Sequence, residues 1–213
     1  MRDHVTLQTG TTIADCQEKL AQFCQEDNSY KSYDLSPDVQ EDDQLTEKDV
    51  RLANFIVARM SARVVGSVLD RVEAIDSALS QIPPRTSISD VVISWAAMTQ
   101  LFSATLGPDI GPARATKILH KKRPALIPIL DSVVESYCKK ACGEDLRGRD
   151  TASKMVAYTK AVKKDIDANL DVLESVIQAG DLKLTPVRAF DILLWAYSGE
   201  YEGRFGNSPV WKR

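Results

Sequence analysis

The chain has 213 residues, 44% of them hydrophobic, which is enough for a buried core in one domain or in one domain with an arm. Its net charge of −3, from 27 Lys and Arg against 30 Asp and Glu, excludes a uniformly basic nucleic-acid coat. No apolar run approaches the roughly 18–20 residues of a membrane span, and MRDHVTLQTG lacks an apolar signal core, so a cytoplasmic protein with no membrane partner is expected.

Ile13, Cys16, Leu20 and Phe23 recur at helical spacing and predict a first helix over about 12–25. Residues 28–44 are polar, acidic and proline-containing and read as a linker. Residues 1–49 hold 4 Lys/Arg and 12 Asp/Glu, against 23 and 18 in the rest, so an acidic segment (1–45, a helical arm and linker) is set apart from a mildly basic domain at 46–213. Thr46 with Asp49 starts a second helix through Met60. A helical period continues from Val64 to about 81, with Gly66 as its expected break. Pro83-Pro84 ends that block, and Ser87 or Ser89 caps a helix burying Val91, Val92, Ile93, Trp95, Met98 and Leu101.

GPDIGP at 107–112 interrupts, a short helix covers 113–119, and Pro124 and Pro128 enforce an extended connection. Ser132 with Glu135 forms a capping box for a helix reaching Cys142 and ending at Gly143. Two helical stretches fill 150–179. Thr185-Pro186 starts a last helix through Trp195, and the tail 199–213 is irregular. No strand pattern is found. The fold class expected is all-α, an orthogonal array of about eight to ten helices.

The four cysteines form no CxxC. Cys138 and Cys142 share a helix face and could supply half a metal site, but no further ligands accompany them, so reduced thiols and no metal are expected. His120 reads as a surface or packing residue rather than a catalyst, and Trp95, Trp195 and Tyr197 read as core residues, one of which could instead stack on a flipped base.

The chemistry concentrates between Leu106 and Val134. A glycine-bearing turn (Gly107, Ile110, Gly111) joins two helices and delivers the N-terminus of the second, a natural phosphate site. Arg114, Lys117, Lys121, Lys122 and Arg123 follow with no acid among them. Twenty residues beyond Gly111 stands Asp131, in the phrase Ile127-Pro128-Ile129-Leu130-Asp131. Asp131 has two readings. It is a helix N-cap, or it lies just outside a cap made by Ser132, where the positive helix end favours an ionised carboxylate able to stabilise an oxocarbenium-like sugar or polarise a water.

This stretch resembles the helix-hairpin-helix motif of the DNA glycosylase superfamily, over about 30 of the 213 residues. The hairpin, at about 97–120, matches through Gly107, Ile110 and Gly111, with Pro108 and Asp109 departing from the usual order. In adenine DNA glycosylases the catalytic aspartate lies at a similar spacing in a similar phrase, which lands on Asp131. The resemblance implies duplex DNA as partner, held by Gly107, Ile110, Gly111, Arg114, Lys117, Lys121, Lys122 and Arg123. Ala113 stands where bifunctional members carry a nucleophilic lysine, so no lyase step is expected there. The cysteines of an iron–sulfur loop are missing, so no cofactor is expected. The wider layout, with Leu45-Thr46-x-x-Asp49-Val50 and Asp191-Ile-Leu-Leu-Trp195, resembles an uncharacterised bacterial family. Noncatalytic duplex binding is the leading expectation, and a monofunctional glycosylase using Asp131 is the alternative.

Overall fold

A computed structural model describes residues 3–36 and 42–198. The expected irregular tail at 199–213, and 37–41 of the expected linker, lie outside the described residues. The all-α expectation holds in its coarse form: the chain is mostly helical, with one very small sheet. That sheet corrects the expectation of no strands. Strand β1 (His4–Thr6) pairs antiparallel with β2 (Thr12–Ala14), joined by a turn in which Gly10 takes a φ of 82°. The first helix, α1 (Cys16–Glu26), therefore begins later than its apolar period suggested.

The acidic N-terminal part is no detached arm. Val5, Leu7, Ile13, Leu20 and Phe23 belong to the same core as Val162, Ile166 and Phe190. The longest helix, α8 (Thr151–Ala179), lies against α5 (Trp95–Thr105), α7 (Ser132–Cys142), α9 (Pro186–Tyr197) and β1. It kinks at Asn169, whose φ of −129° is non-helical. The freed side chain acts as an extra strand for β1: its Oδ1 accepts from the Thr6 N–H and its Nδ2 donates to the Thr6 carbonyl, both at 3.0 Å. One turn earlier, Asp165 accepts from the Gln8 backbone (2.7 Å), the Gln8 amide (2.9 Å) and the Tyr137 hydroxyl. Two polar side chains of one helix thus satisfy a hairpin too short to stand alone.

Between these ends the helices are short. Thr46 and Asp49 make the expected capping box, but α2 (Glu47–Leu52) stops early and continues only as a 3-10 turn at Ala53–Ile56. Ser61 caps α3 (Ala62–Leu69), and Gly66 sits inside it. The break comes instead at Asp70-Arg71, before α4 (Val72–Leu79). Residues 87–93 are not helical. Asp90 accepts from the Ser87 N–H at 2.9 Å, and Ser94 caps α5 by accepting from Ala97. Such local side-chain bonds compete with a helix. Val91 and Val92, expected to be buried, are 99% and 84% exposed. Thr185 caps α9 as its sequence indicated, accepting from Arg188 at 3.1 Å.

Candidate functional site

Helix α5 runs into a tight turn at 106–111 and then α6 (Pro112–Lys122). Gly107 and Ile110 exchange backbone hydrogen bonds of 3.1 and 2.9 Å, and Ile110 is in the core at 1% exposure. Neither Gly107 nor Gly111 adopts a positive φ. A side chain at Gly107 would meet the Arg71 guanidinium, the flexible end of a side chain that donates to the Leu106 carbonyl, and would have to displace it. Asp109 pairs with Arg63 at 2.8 Å, and its carbonyl accepts from Arg114 at 2.6 Å. No side chain caps the first turn of α6, which begins at Gly111 and Pro112.

The basic run divides into two groups. Lys121 donates to the carbonyls of Tyr33 (2.8 Å) and Asp34 (3.3 Å). Lys122, 2% exposed, pairs with Asp42 (2.8 Å) and with the equally buried Asp49 (2.9 Å). Arg123, fully buried, donates to the carbonyls of Leu79, Ile82, Lys122 and Asp42 at 2.7–2.9 Å and to the Asp43 carboxylate. The expectation that these three grip phosphate is corrected: Lys121 is held by backbone carbonyls, and Lys122 and Arg123 are paired with acids at 42, 43 and 49. Arg114 is also used structurally, bonding Ala58 and Arg59 carbonyls at 2.9 and 3.2 Å, but it faces a cleft as well.

That cleft, about 360 Å³, is lined on one side by Ala113, Arg114 and Lys117 of α6 and on the other by Val57, Ala58 and Arg59. Asp131, Ser132 and Trp195 complete it. An inner cavity of about 40 Å³ shares Lys117, Asp131 and Trp195 and adds Phe23, Asp27, Ile129 and Arg188. The inner space holds only a few waters, whereas the outer cleft reaches the size of small-ligand sites. Two other grooves, beside Val92 and beside Pro186, are larger, at about 460 and 450 Å³, but bring together no comparable set of charged and aromatic groups.

Asp131, not Ser132, is the N-cap of α7. Its Oδ1 accepts from Val133 at 3.0 Å and Val134 at 3.1 Å, and its Oδ2 accepts from the Trp195 indole N–H. Glu135, expected as the reciprocal cap, pairs with Lys139 at 2.9 Å. Three of about four acceptor positions of the carboxylate are used, which leaves one on Oδ2. Burial raises the Asp131 pKa above the ordinary carboxylate value, against the lowering pull of the Val134 N–H, the indole and Lys117.

Trp195 is the site residue that sequence reasoning assigned to the core. The signal was present in Asp191-Ile-Leu-Leu-Trp195. Residues four apart share a helix face. Asp191 accepts from the Ile129 N–H at 3.0 Å while Trp195 reaches Asp131, so both hold the segment preceding α7. Burial pushes Asp191 well above the usual carboxylate range.

The profile of a family of unknown function, DUF6308, matches residues 18–198. The chain belongs to that family. No curated protein and no solved structure matches it. The DUF6308 match runs from within α1 through α9 and so contains both walls of the cleft. Among the described residues of this DUF6308 chain, no cluster of His, Cys, Asp and Glu could hold a metal, and no helix is long and apolar enough to cross a membrane.

Behind the cleft, His120 is 2% exposed and stacks on Tyr33, with centroids 6.1 Å apart. Its Nδ1 lies 2.6 Å from the Ile127 carbonyl, which can only accept, so Nδ1 carries the hydrogen. Burial, and then Arg188, push its pKa down to about 3. The unfolded chain takes up this proton near pH 6.5, whereas the folded chain resists it. Stability should therefore fall as pH drops below about 6.5, by at most about 1.4 kcal/mol per pH unit down to about pH 3. His120→Asn keeps a donor to Ile127 and should flatten this dependence in urea melts between pH 7 and 4.5. Equal acid losses in both proteins would place the sensitivity elsewhere.

Proposed function

We propose that the chain is a DNA-directed protein of helix-hairpin-helix type, in which α5, the 106–111 turn and α6 lie along a duplex backbone and Asp131 promotes monofunctional release of a base drawn into the cleft. One observation carries this reading: the cleft sets Asp131 beside the first turn of α6, so a phosphate at the uncapped helix end and a sugar at Asp131 belong to one ligand. The remaining acceptor position on Oδ2 suits a water or an electron-poor sugar carbon. Trp195 offers an apolar wall of the kind an extruded base requires.

The cations available to phosphate differ from those expected. Arg59 is exposed with no side-chain partner among the described residues, and Arg63 and Arg114 flank it. Binding should be weak and steeply salt-dependent. Arg59→Ala should weaken it and reduce the slope of log K against log salt by about 0.9. Arg123 variants should leave that slope unchanged. The check is a duplex titration by fluorescence anisotropy across salt concentrations, and no affinity at low salt ends the reading. Catalysis is tested separately, by base release from duplexes carrying damaged and mismatched bases, in wild type and Asp131→Asn.

A second reading, duplex binding without chemistry, is favoured by one feature: Asp131 already serves as helix cap and indole acceptor. DNA binding with no base release on any substrate would support it.

A further inference from the structure

Residues 87–93 leave the helical pattern and present two valines to solvent. Val91 and Val92 stand further out than any other large apolar side chain among the described residues. The loop that carries them is anchored at three points. Ile88 is in the core, and its N–H donates to the Ala125 carbonyl at 2.8 Å. The Lys163 ammonium of α8 donates to the Ile88 carbonyl at 2.6 Å and to the Asp90 carbonyl at 3.2 Å. The Asp90 carboxylate accepts from the Ser87 N–H at 2.9 Å, and the Asp90 N–H donates to the Ser87 carbonyl at 3.1 Å. A loop fixed in this way loses little further freedom on association.

The same loop forms one wall of the groove of about 460 Å³, whose apolar lining comes from Ile82, Pro83, Val92, Ile93 and Met98. Val91 stands between two lining residues, Asp90 and Val92, without lining the groove itself. Single exposed apolar residues are ordinary, but an adjacent pair adjoining an apolar groove marks an interaction surface. A knob and a hole on one patch are what a two-fold self-contact requires, since the same patch serves both subunits. The charges fit the same operation. Arg85 and Asp90 both line the groove, both are exposed, and neither has an ion-pair partner among the described residues. One cation and one anion suit a second copy of the same patch better than a polyanion or a basic peptide.

We infer that this face is the contact surface of a two-fold homodimer, in which Val91 of each copy enters the groove of the other and Arg85 of each copy pairs with Asp90 of the other. The inference is independent of the DNA reading, since it uses none of the residues around Asp131.

The test is the oligomeric state of the full chain, by sedimentation velocity and light scattering, from micromolar to roughly millimolar protein. Wild type should form a dimer that salt weakens. Val91→Asn puts a polar amide into the apolar groove in both halves of the contact and should weaken the dimer at least about a hundredfold. Val91 lies outside the core, so the variant should melt as wild type does when both are diluted to monomer. Arg85→Asp and Asp90→Arg each set like charges together and should be monomeric alone. Mixed in equal amounts they should form a heterodimer, because each then meets its opposite. Asp90→Arg gives up the Ser87 bond, so Asp90→Asn serves as a second variant. It keeps an acceptor for Ser87, removes only the charge, and should weaken the dimer about tenfold for two exposed pairs. A wild type that stays monomeric throughout overturns the inference and leaves the groove to another occupant. A dimer indifferent to Val91→Asn, or assemblies larger than a dimer, overturn it too. Recovery in the mixture, or a weaker Asp90→Asn dimer, supports the Arg85–Asp90 pairing. Failure of the mixture with Asp90→Asn as tight as wild type overturns that pairing.

Discussion

Replacing Arg123 with alanine is expected to destabilise the protein by about 3–5 kcal/mol, the usual loss when one member of a buried charge cluster is removed. The guanidinium is fully buried and supplies hydrogen bonds to the Leu79 and Ile82 carbonyls at the end of α4, at 2.9 and 2.8 Å. It also binds the Asp42 carbonyl and the Asp43 carboxylate. Alanine takes the side-chain donor from the Ile82 carbonyl, leaves the Leu79 carbonyl only its bond from the Ile82 N–H, and frees the acidic segment that approaches α2. Lysine keeps the charge but has a point of three donors rather than a planar fork, so it cannot serve all these acceptors and should recover only part of the loss. For a chain of this length the alanine variant should melt roughly 10 °C lower. Urea denaturation at neutral pH measures the effect. A change under about 1 kcal/mol with an unchanged m-value would show that the acidic segment does not depend on this residue.

Arg123 also shows why the site was only partly legible. In sequence it belongs to a basic run after a glycine turn, with no acid nearby. The acids that neutralise Lys122 and Arg123 are Asp42, Asp43 and Asp49, some 73–80 residues earlier, and no local pattern ties them together. The hairpin β1–β2 escaped for a related reason. Its strands have three residues each, and the groups that satisfy it, Asp165 and Asn169, lie about 160 positions away. Local chemistry read well. Thr185-Pro186, Thr46 with Asp49, and the turn after α5 each carry their structural instruction within a few residues. Apolar periodicity favours a helix over 87–93, but the side chains of Ser87 and Asp90 bond locally and hold the segment out of it. Asp131 was legible as a position, but its partner was not. The indole that fixes its second oxygen comes from α9, 64 residues on.

Asp131→Asn is expected to abolish base release, by at least the 10²–10⁴-fold that a positioned general base contributes, while the protein stays folded and bound to DNA. Asparagine caps a helix about as well as aspartate, so the bonds from Val133 and Val134 to Oδ1 survive. The amide nitrogen then faces the Trp195 N–H, donor against donor, which costs about 1 kcal/mol of stability. Asp131→Ala removes the cap as well and should cost a further 1 kcal/mol or so. If Asp131 were only a cap, the two variants would differ in melting temperature and agree in having no effect on chemistry. If it is the catalytic group, they differ in stability and are equally inactive. DNA affinity should be unchanged or slightly higher in both, since a carboxylate beside phosphate is lost. Because burial raises the Asp131 pKa, wild-type activity should rise with pH along an acid limb whose midpoint lies above the ordinary carboxylate value of 3.8. The product should be an abasic site without strand cleavage, since Ala113 offers no amine. Strand cleavage on abasic duplex would direct attention to Lys117, the one lysine lining both the cleft and the inner cavity. Alkali-labile sites formed equally by wild type and Asp131→Asn would remove Asp131 from the chemistry and leave it the cap and indole acceptor that its hydrogen bonds already describe.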